Sequence, residues 1–273
     1  MSSSVWSRLT AAPLSIRYYQ ITNGVVNCLF GKSLGITHLV EYPRCGGTWV
    51  RHLMQDSMDI PQYAYDRPLS QNTIIQCHVL PSPMIRRAVV LFRDPRDAIV
   101  SFYHKKVNYD KNFRGGTQFK VGGYCHDPDR ELKEDFYEFL KVHLNTPDHP
   151  RFSFAKFADL WLARENTCYA KYEDFKTEPV VQLARLTEFL GADVAHEKLE
   201  FAVEKNSFAN RTKRRSGKSR ALGESDNGQF ERKGIVGDWK NHFSSNAKQL
   251  FVKHEGQTLI KLEYETDDSW ANR

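Results

Sequence analysis

The 273-residue sequence contains no run of 18 apolar residues, so nothing in it reads as a transmembrane helix. Its first residues, Met1-Ser2-Ser3-Ser4 with Arg8 and Arg17 among the apolar positions that follow, lack the apolar stretch of a secretory signal. The five cysteines (Cys28, Cys45, Cys77, Cys125 and Cys168) are odd in number, widely spaced and free of any CxxC pair. That argues against a zinc ribbon and against a disulfide scaffold, and free thiols suit a reducing, cytoplasmic setting. The ten histidines are scattered, with no HxxxH pair and no His/Cys cluster, so no metal site is expected. There is no internal repeat, no low-complexity block and no linker rich in Pro, Gly or Ser. A single domain over 1–273 is the expectation.

What is present is an ordinary globular balance, 40% hydrophobic and 26% charged, enough for one full core. Lys and Arg exceed Asp and Glu by 39 to 33, a net charge of +6. The excess suits an anionic partner but is too small to suggest a nucleic-acid coating protein. Residues 36–42, 73–79, 88–92 and 167–172 read as strands, and 88–92 (Ala-Val-Val-Leu-Phe) is apolar throughout, as in a buried parallel sheet. Helices are predicted over 48–58, from Pro95 to about Lys106, and over 131–144, 153–165, 178–190 and 195–205, with a last one from near Asn246. Residues 103–130 read as a long loop and 209–229 as a mobile one. Strands alternating with helices predict an α/β fold with a central parallel sheet flanked by helices.

Two segments compete as a phosphate loop. Gly31-Lys32-Ser33 ends like a Walker A motif, but Val26 stands where its first glycine is needed, and the segment precedes a strand instead of following one. Tyr42-Pro43-Arg44-Cys45-Gly46-Gly47-Thr48-Trp49 joins a strand to a helix. Its glycines permit close backbone approach, the helix start offers unpaired N–H groups, and Arg44 adds positive charge. On its own it is also an ordinary strand–helix turn. The run Arg93-Asp94-Pro95-Arg96-Asp97 to Ser101 puts an arginine at the carboxyl end of the apolar strand, where open α/β sheets bind ligands. It equally suits a surface ion pair of Arg93 or Arg96 with Asp97. Arg232-Lys233-Gly234 sets two cations beside a flexible backbone, an anion clamp or a solvated basic loop.

In order along the chain, these segments resemble the cytosolic-type sulfotransferases that use 3′-phosphoadenosine 5′-phosphosulfate (PAPS). The loop at 42–49 resembles the family's 5′-phosphosulfate loop, commonly Tyr-Pro-Lys-Ser-Gly-Thr-Thr-Trp. The 93–101 run resembles its 3′-phosphate motif, and 232–241 is nearly a full match to its C-terminal Arg-Lys-Gly-x-x-Gly-Asp-Trp-Lys-Asn motif. Phe152-Ser153-Phe154 and Tyr172-Glu173-Asp174 fall where similar motifs fall. The resemblance spans about 36–250.

It implies a P-loop-like strand–loop–helix and a sulfotransferase that moves the sulfonate group of PAPS to a hydroxyl or amine of a small molecule, leaving adenosine 3′,5′-bisphosphate (PAP), with no metal. Arg44, Cys45, Gly46, Gly47 and Thr48 would hold the phosphosulfate, and Trp49 would stack on adenine. Arg93, Ser101, Arg232, Lys233 and Gly234 would bind the 3′-phosphate, and Tyr172, Ser207 and Phe208 would surround the adenine. His78 would be the general base, since an imidazole titrates near neutrality. Tyr103 and His104 are the alternative bases. Arg44 stands at the family's lysine and would stabilise charge on the departing oxygen without donating a proton. Gln76 stands where a lysine is often found. Cys45 replaces the usual serine; a lowered pKa there is one role and a small buried spacer the commoner one.

The basic run 211–220, with six cations in ten residues, would belong to a lid over the donor within 209–229. Tyr63, Tyr65, Tyr103, Tyr109, Phe113, Phe119, Tyr124 and Phe152 would line a flat or apolar acceptor site. Lys105, Lys106, Lys111, Arg114 and Lys120 favour a polar or acidic acceptor. An alcohol, phenol or amine is the acceptor class, with neither nucleic acid nor stable membrane insertion expected. Monomer and homodimer both stay open, because the family's dimer motif is degraded over 240–249. The rival readings are a P-loop kinase or NTPase, and a basic module for nucleic acid or a membrane surface.

Overall fold

β1 (Thr37–Glu41) and β3 (Ala88–Phe92) are buried at every position; β3 is apolar throughout, whereas β1 carries Thr37, His38 and Glu41 into the interior. In the computed structural model, which describes residues 14–62, 68–69, 71–113, 120–121, 124–147, 149–213 and 232–273, they form the middle of a parallel sheet with β2 (Ile74–Cys77) and β6 (Thr167–Lys171). The order is β2-β1-β3-β6. Val40 pairs with Cys77 on one side and Val90 on the other, and Val90 pairs with Tyr169, so the four carboxyl ends lie along one edge. From β1 the chain crosses to β2 on one side and then to β3 on the other. The loop after β1 therefore sits at a topological switch point, where such sheets bind ligands.

Helices α1 (Leu14–Phe30), α2 (Gly47–Met58), α3 (Pro95–Phe113), α4 (Leu132–Asn145), α5 (Phe154–Leu162), α6 (Tyr172–Thr177), α7 (Pro179–Phe189), α8 (His196–Lys205), α9 (Phe208–Thr212) and α10 (Ser245–Lys261) surround the sheet. α2 packs on α7 and α8, and α10 on α4 and α5. One core cluster lies around the sheet. A second, rich in aromatics, joins Val100, Tyr103 and Val107 of α3 to Phe136 and Phe139 of α4 and to Phe251.

Two expectations needed correction. The segment 103–130 is not one long loop. α3 runs on to Phe113, because Tyr103 and Val107 continue its buried face beyond Ile99 and Val100, and a short antiparallel pair, β4 (Lys120–Val121) with β5 (Tyr124–Cys125), follows. The 209–229 loop begins as α9, with Ser207 capping it by accepting the Asn210 N–H at 3.3 Å; residues 214–229 lie outside the described part. As expected, the Walker-like Gly31-Lys32-Ser33 precedes β1, in the turn after α1 and away from the carboxyl edge.

Candidate active site

The loop after β1 is held by backbone geometry that few sequences adopt. Arg44 has φ 76° and Gly46 φ 102°, both left-handed. Cys45 N–H bonds back to Tyr42 C=O at 3.2 Å, and Arg93 Nη1 donates to Arg44 C=O at 3.1 Å, which supports the unusual Arg44 conformation. Gly46 is required twice over, since a Cβ there would come within 2.6 Å of the Tyr172 ring. The turn opens directly into α2, whose first N–H, that of Gly47, donates to Glu41 Oε2 at 2.6 Å.

Above this loop is a cavity of about 440 Å³ at the carboxyl edge of the sheet. Its wall contains thirteen of the fifteen expected site residues: His78, Arg44, Gly46, Gly47, Thr48, Trp49, Arg93, Ser101, Tyr172, Phe208, Arg232, Lys233 and Gly234. The two that do not reach it are Cys45 and Ser207. Cys45 is fully buried, and burial, with the Glu41 charge next, pushes its thiol well above the usual range. It is a spacer and not an activated thiol. Ser207 spends its hydroxyl on the α9 cap.

The cations are arranged in two arms. Arg93, at the end of β3, is 8% exposed and lies 4.4 Å over the Tyr172 ring. Its Nη2 donates to Ile235 C=O at 3.3 Å, and its Nε has no hydrogen-bond partner among the described residues. Arg44 Nε donates to Ser101 Oγ at 3.1 Å, so the loop and the second turn of α3 meet. On the other arm, Arg232 and Lys233 bond the two oxygens of Asp238 at 2.5 and 2.7 Å. Burial raises the Asp238 carboxyl, but the Lys233 bond and the Arg232 charge outweigh it and hold it well below the usual range. Gly234, with φ 66°, lies against Phe208; a Cβ there would come within 2.4 Å of that ring.

Asp97 does pair with Arg93, at 3.9 Å, but in the interior and not at the surface. It is 1% exposed and accepts Gly237 N–H at 2.7 Å and Trp239 N–H at 2.9 Å. Arg96 is likewise internal, bonded to Asp94 and Glu265 and sandwiched between Trp239 and Trp270.

His78 sits just past β2, and its Nδ1–H donates to Glu41 C=O at 3.0 Å. That bond selects the tautomer whose other nitrogen, Nε2, carries a lone pair. The alternative bases are engaged elsewhere. Tyr103 donates to buried Asp135 at 2.7 Å. His104 donates from Nε2 to His242 Nε2 at 2.8 Å, because His242 Nδ1–H is given to Asp238 C=O; burial pushes His104 down to about 2. Neither lines the cavity.

Sequence reasoning missed Glu41, Phe102, His149 and Lys176 on the cavity wall, while Arg211, the first residue of the basic run, does line it. The His149 ring stands 5.8 Å from that of His78, edge to face. Of the expected acceptor residues, Lys105 lines the cavity. Tyr124 joins Tyr103 on Asp135, and Phe152 packs on Tyr42 and Phe157. Tyr63, Tyr65, Arg114 and Phe119 lie outside the described residues, as do the side chains of Tyr109, Lys111, Phe113 and Lys120. Among the described residues, no group of three His, Cys, Asp or Glu is placed to hold a metal, and no helix is long and apolar enough to cross a membrane.

The family model described as the sulfotransferase domain matches residues 64–262, beginning after the 42–49 loop. Mouse sulfotransferase 6B1 is 24% identical over 263 residues, covering 83% of this chain and 79% of its own. Human sulfotransferase 1C2 is 23% identical over 252 residues, covering 78% and 79%. Among solved structures, mouse sulfotransferase SULT7A1 complexed with PAP has a TM-score of 0.58 at 20% identity, over 86% of this chain and 91% of that one. Retinol dehydratase in complex with androsterone and inactive cofactor PAP has a TM-score of 0.57 at 17% identity, over 83% and 81%. With the cavity, its two cationic arms and the sheet edge that carries them, these matches establish that the chain belongs to the sulfotransferase domain family of enzymes.

Proposed function

We propose that this protein binds PAPS in the cavity and transfers its sulfonate group to a hydroxyl or amine of a small-molecule acceptor, acting as one domain over 1–273. The residues fit the donor: Arg44 in the loop after β1, and Arg93, Arg232 and Lys233 beyond it, suit two separated anionic groups, and Trp49, Tyr172 and Phe208 give an aromatic wall for a base. When bound, PAPS supplies the sulfonate and a nucleotide leaving group. The chain's own residues do the rest. Arg44, Gly46, Gly47 and Thr48 bind the 5′ group, and Arg93, Ser101, Arg232, Lys233 and Gly234 bind the 3′-phosphate. His78 takes the acceptor's proton at Nε2, and Arg44 stabilises charge without giving up a proton.

The observation that carries this is the His78 Nδ1 bond to the Glu41 carbonyl, which ties the base to the strand that feeds the donor loop. His149 and Lys105 on the same wall suit an acceptor with a polar or acidic group beside the reacting atom. The test is calorimetric binding of PAP without Mg²⁺, followed by transfer of labelled sulfonate from PAPS to a panel of phenols, alcohols and amines. Binding of Mg²⁺-ATP in preference to PAP would return the kinase reading, for which the Gly31-Lys32-Ser33 turn, away from the cavity, offers no support.

A further inference from the structure

Glu41 puts a carboxylate inside the anion-binding loop. It ends β1, is 3% exposed and lines the cavity. Its Oε2 accepts Gly47 N–H at 2.6 Å, and its Oε1 accepts the Gln76 amide at 2.7 Å. Gln76 Nε2 also reaches Thr48 Oγ1 at 3.3 Å, which closes the network over the start of α2. Two departures from the resembled pattern meet at this carboxylate: Gly47 where a threonine is usual, and Gln76 where a lysine is often found. A Cβ at Gly47 would lie 2.3 Å from Glu41 Oε1 and 2.4 Å from its carboxyl carbon, so glycine makes the room that the acid occupies. Gln76, being neutral, leaves the acid's charge in place where a lysine would offset it.

We propose that Glu41 is a resident anion of the donor loop that limits donor affinity. Its carboxylate holds the Gly47 N–H and the Gln76 amide, the groups that an incoming 5′ anionic group would otherwise take. The ligand must displace the carboxylate or lie beside a like charge in a poorly solvated site, and either weakens binding. Weaker binding applies to product as well as donor, so the same residue speeds nucleotide release. This inference rests on the donor reading above.

The test compares wild type with Glu41→Gln by calorimetry, using PAP and adenosine 3′-monophosphate, which lacks the 5′ group. Glu41→Gln is expected to bind PAP about tenfold tighter or more, with adenosine 3′-monophosphate unchanged. Unchanged or weaker PAP binding, or equal tightening of both ligands, overturns the proposal. Failure of the wild type to bind PAP overturns the donor reading itself, and that result is read separately. The double variant E41S/G47A removes the carboxylate by another route and fills its space with a methyl group. It must show the same tightening, and its absence also overturns the proposal. In thermal unfolding, Gly47→Ala alone should lower the midpoint through its clash with Glu41, and adding Glu41→Ser should restore it.

Discussion

Asp97 and Trp239 are joined by a 2.9 Å hydrogen bond from the Trp239 backbone N–H to Asp97 Oδ1, with Gly237 N–H on the other oxygen. Through this pair the run after β3 grips the turn that follows Arg232-Lys233-Gly234, so the two arms of the expected 3′-phosphate site are one unit. Asp97→Ala leaves two buried N–H groups without their acceptor. It should cost on the order of 2–4 kcal/mol of stability and weaken PAP binding, although Asp97 is not on the cavity wall. Urea unfolding with calorimetry checks both; normal PAP affinity in a folded Asp97→Ala would mean that the arms act independently.

Arg93 and Lys233 occupy the two arms. Arg93→Ala and Lys233→Ala are each expected to weaken PAP binding by about 2 kcal/mol, the scale of a charge-assisted contact. Adenosine 5′-monophosphate, without a 3′-phosphate, should change much less. Lys233 carries the added cost of leaving Asp238 with one cation fewer. Equal losses for both ligands would remove the 3′-phosphate from these residues.

Glu255 on α10 yields a pH dependence that is separate from catalysis. It is 2% exposed, and burial pushes its carboxyl up to about 7, against the backbone N–H groups of Ala155 and Phe154 that favour the charged form. The folded pKa is raised above the unfolded one, so this group's contribution is fully present below the unfolded value and is lost as pH rises through 7. Glu255→Gln should therefore gain stability over wild type above pH 7, by on the order of 2 kcal/mol, and show little difference near pH 4. Chemical unfolding at several pH values reads this directly; an equal effect at both ends would exclude ionisation as its cause.

The parts of the site that could be read from the sequence are short-range. Arg44 to Trp49, Arg93 to Ser101 and Arg232 to Gly234 each announce a strand end, a turn or a helix start, and the cavity gathers members of all three. Glu41 was not legible, because an acid at the end of a strand usually faces water. The signal was there in combination, since Gly47 removes a side chain and Gln76 removes a cation, and only folding shows that both face Glu41. His149 comes from a loop far along the chain, and no local pattern links it to His78. Ser207 is not on the cavity wall, and its hydroxyl oxygen instead accepts Asn210 N–H to cap α9, a helix-start role that the sequence also allows. The extension of α3 was missed because its aromatic and polar composition masked the repeat of buried Tyr103 and Val107.

In the proposed mechanism the chemistry turns on His78 and Arg44. With Nδ1 engaged by the Glu41 carbonyl, Nε2 is the nitrogen left to remove the acceptor's proton. His78→Ala should lose about 10²–10⁴-fold in turnover while PAP affinity stays near normal, because the imidazole serves the acceptor. Arg44→Ala should lose turnover and PAP affinity together, since Arg44 lies in the loop and also bonds Ser101 on the 3′ side. Arg44→Lys restores the family's usual residue and keeps the charge; it should retain much of the turnover but bind PAP somewhat more weakly, because a lysine does not reproduce the Nε bond to Ser101. Single-turnover transfer of labelled sulfonate, with PAP affinity measured separately, distinguishes these cases. Near-wild-type transfer by His78→Ala would remove His78 from the mechanism and move the base to His149, the other cavity-lining histidine, 5.8 Å away. Loss in His78→Ala with full activity in His149→Ala would fix the proton's route through His78 Nε2.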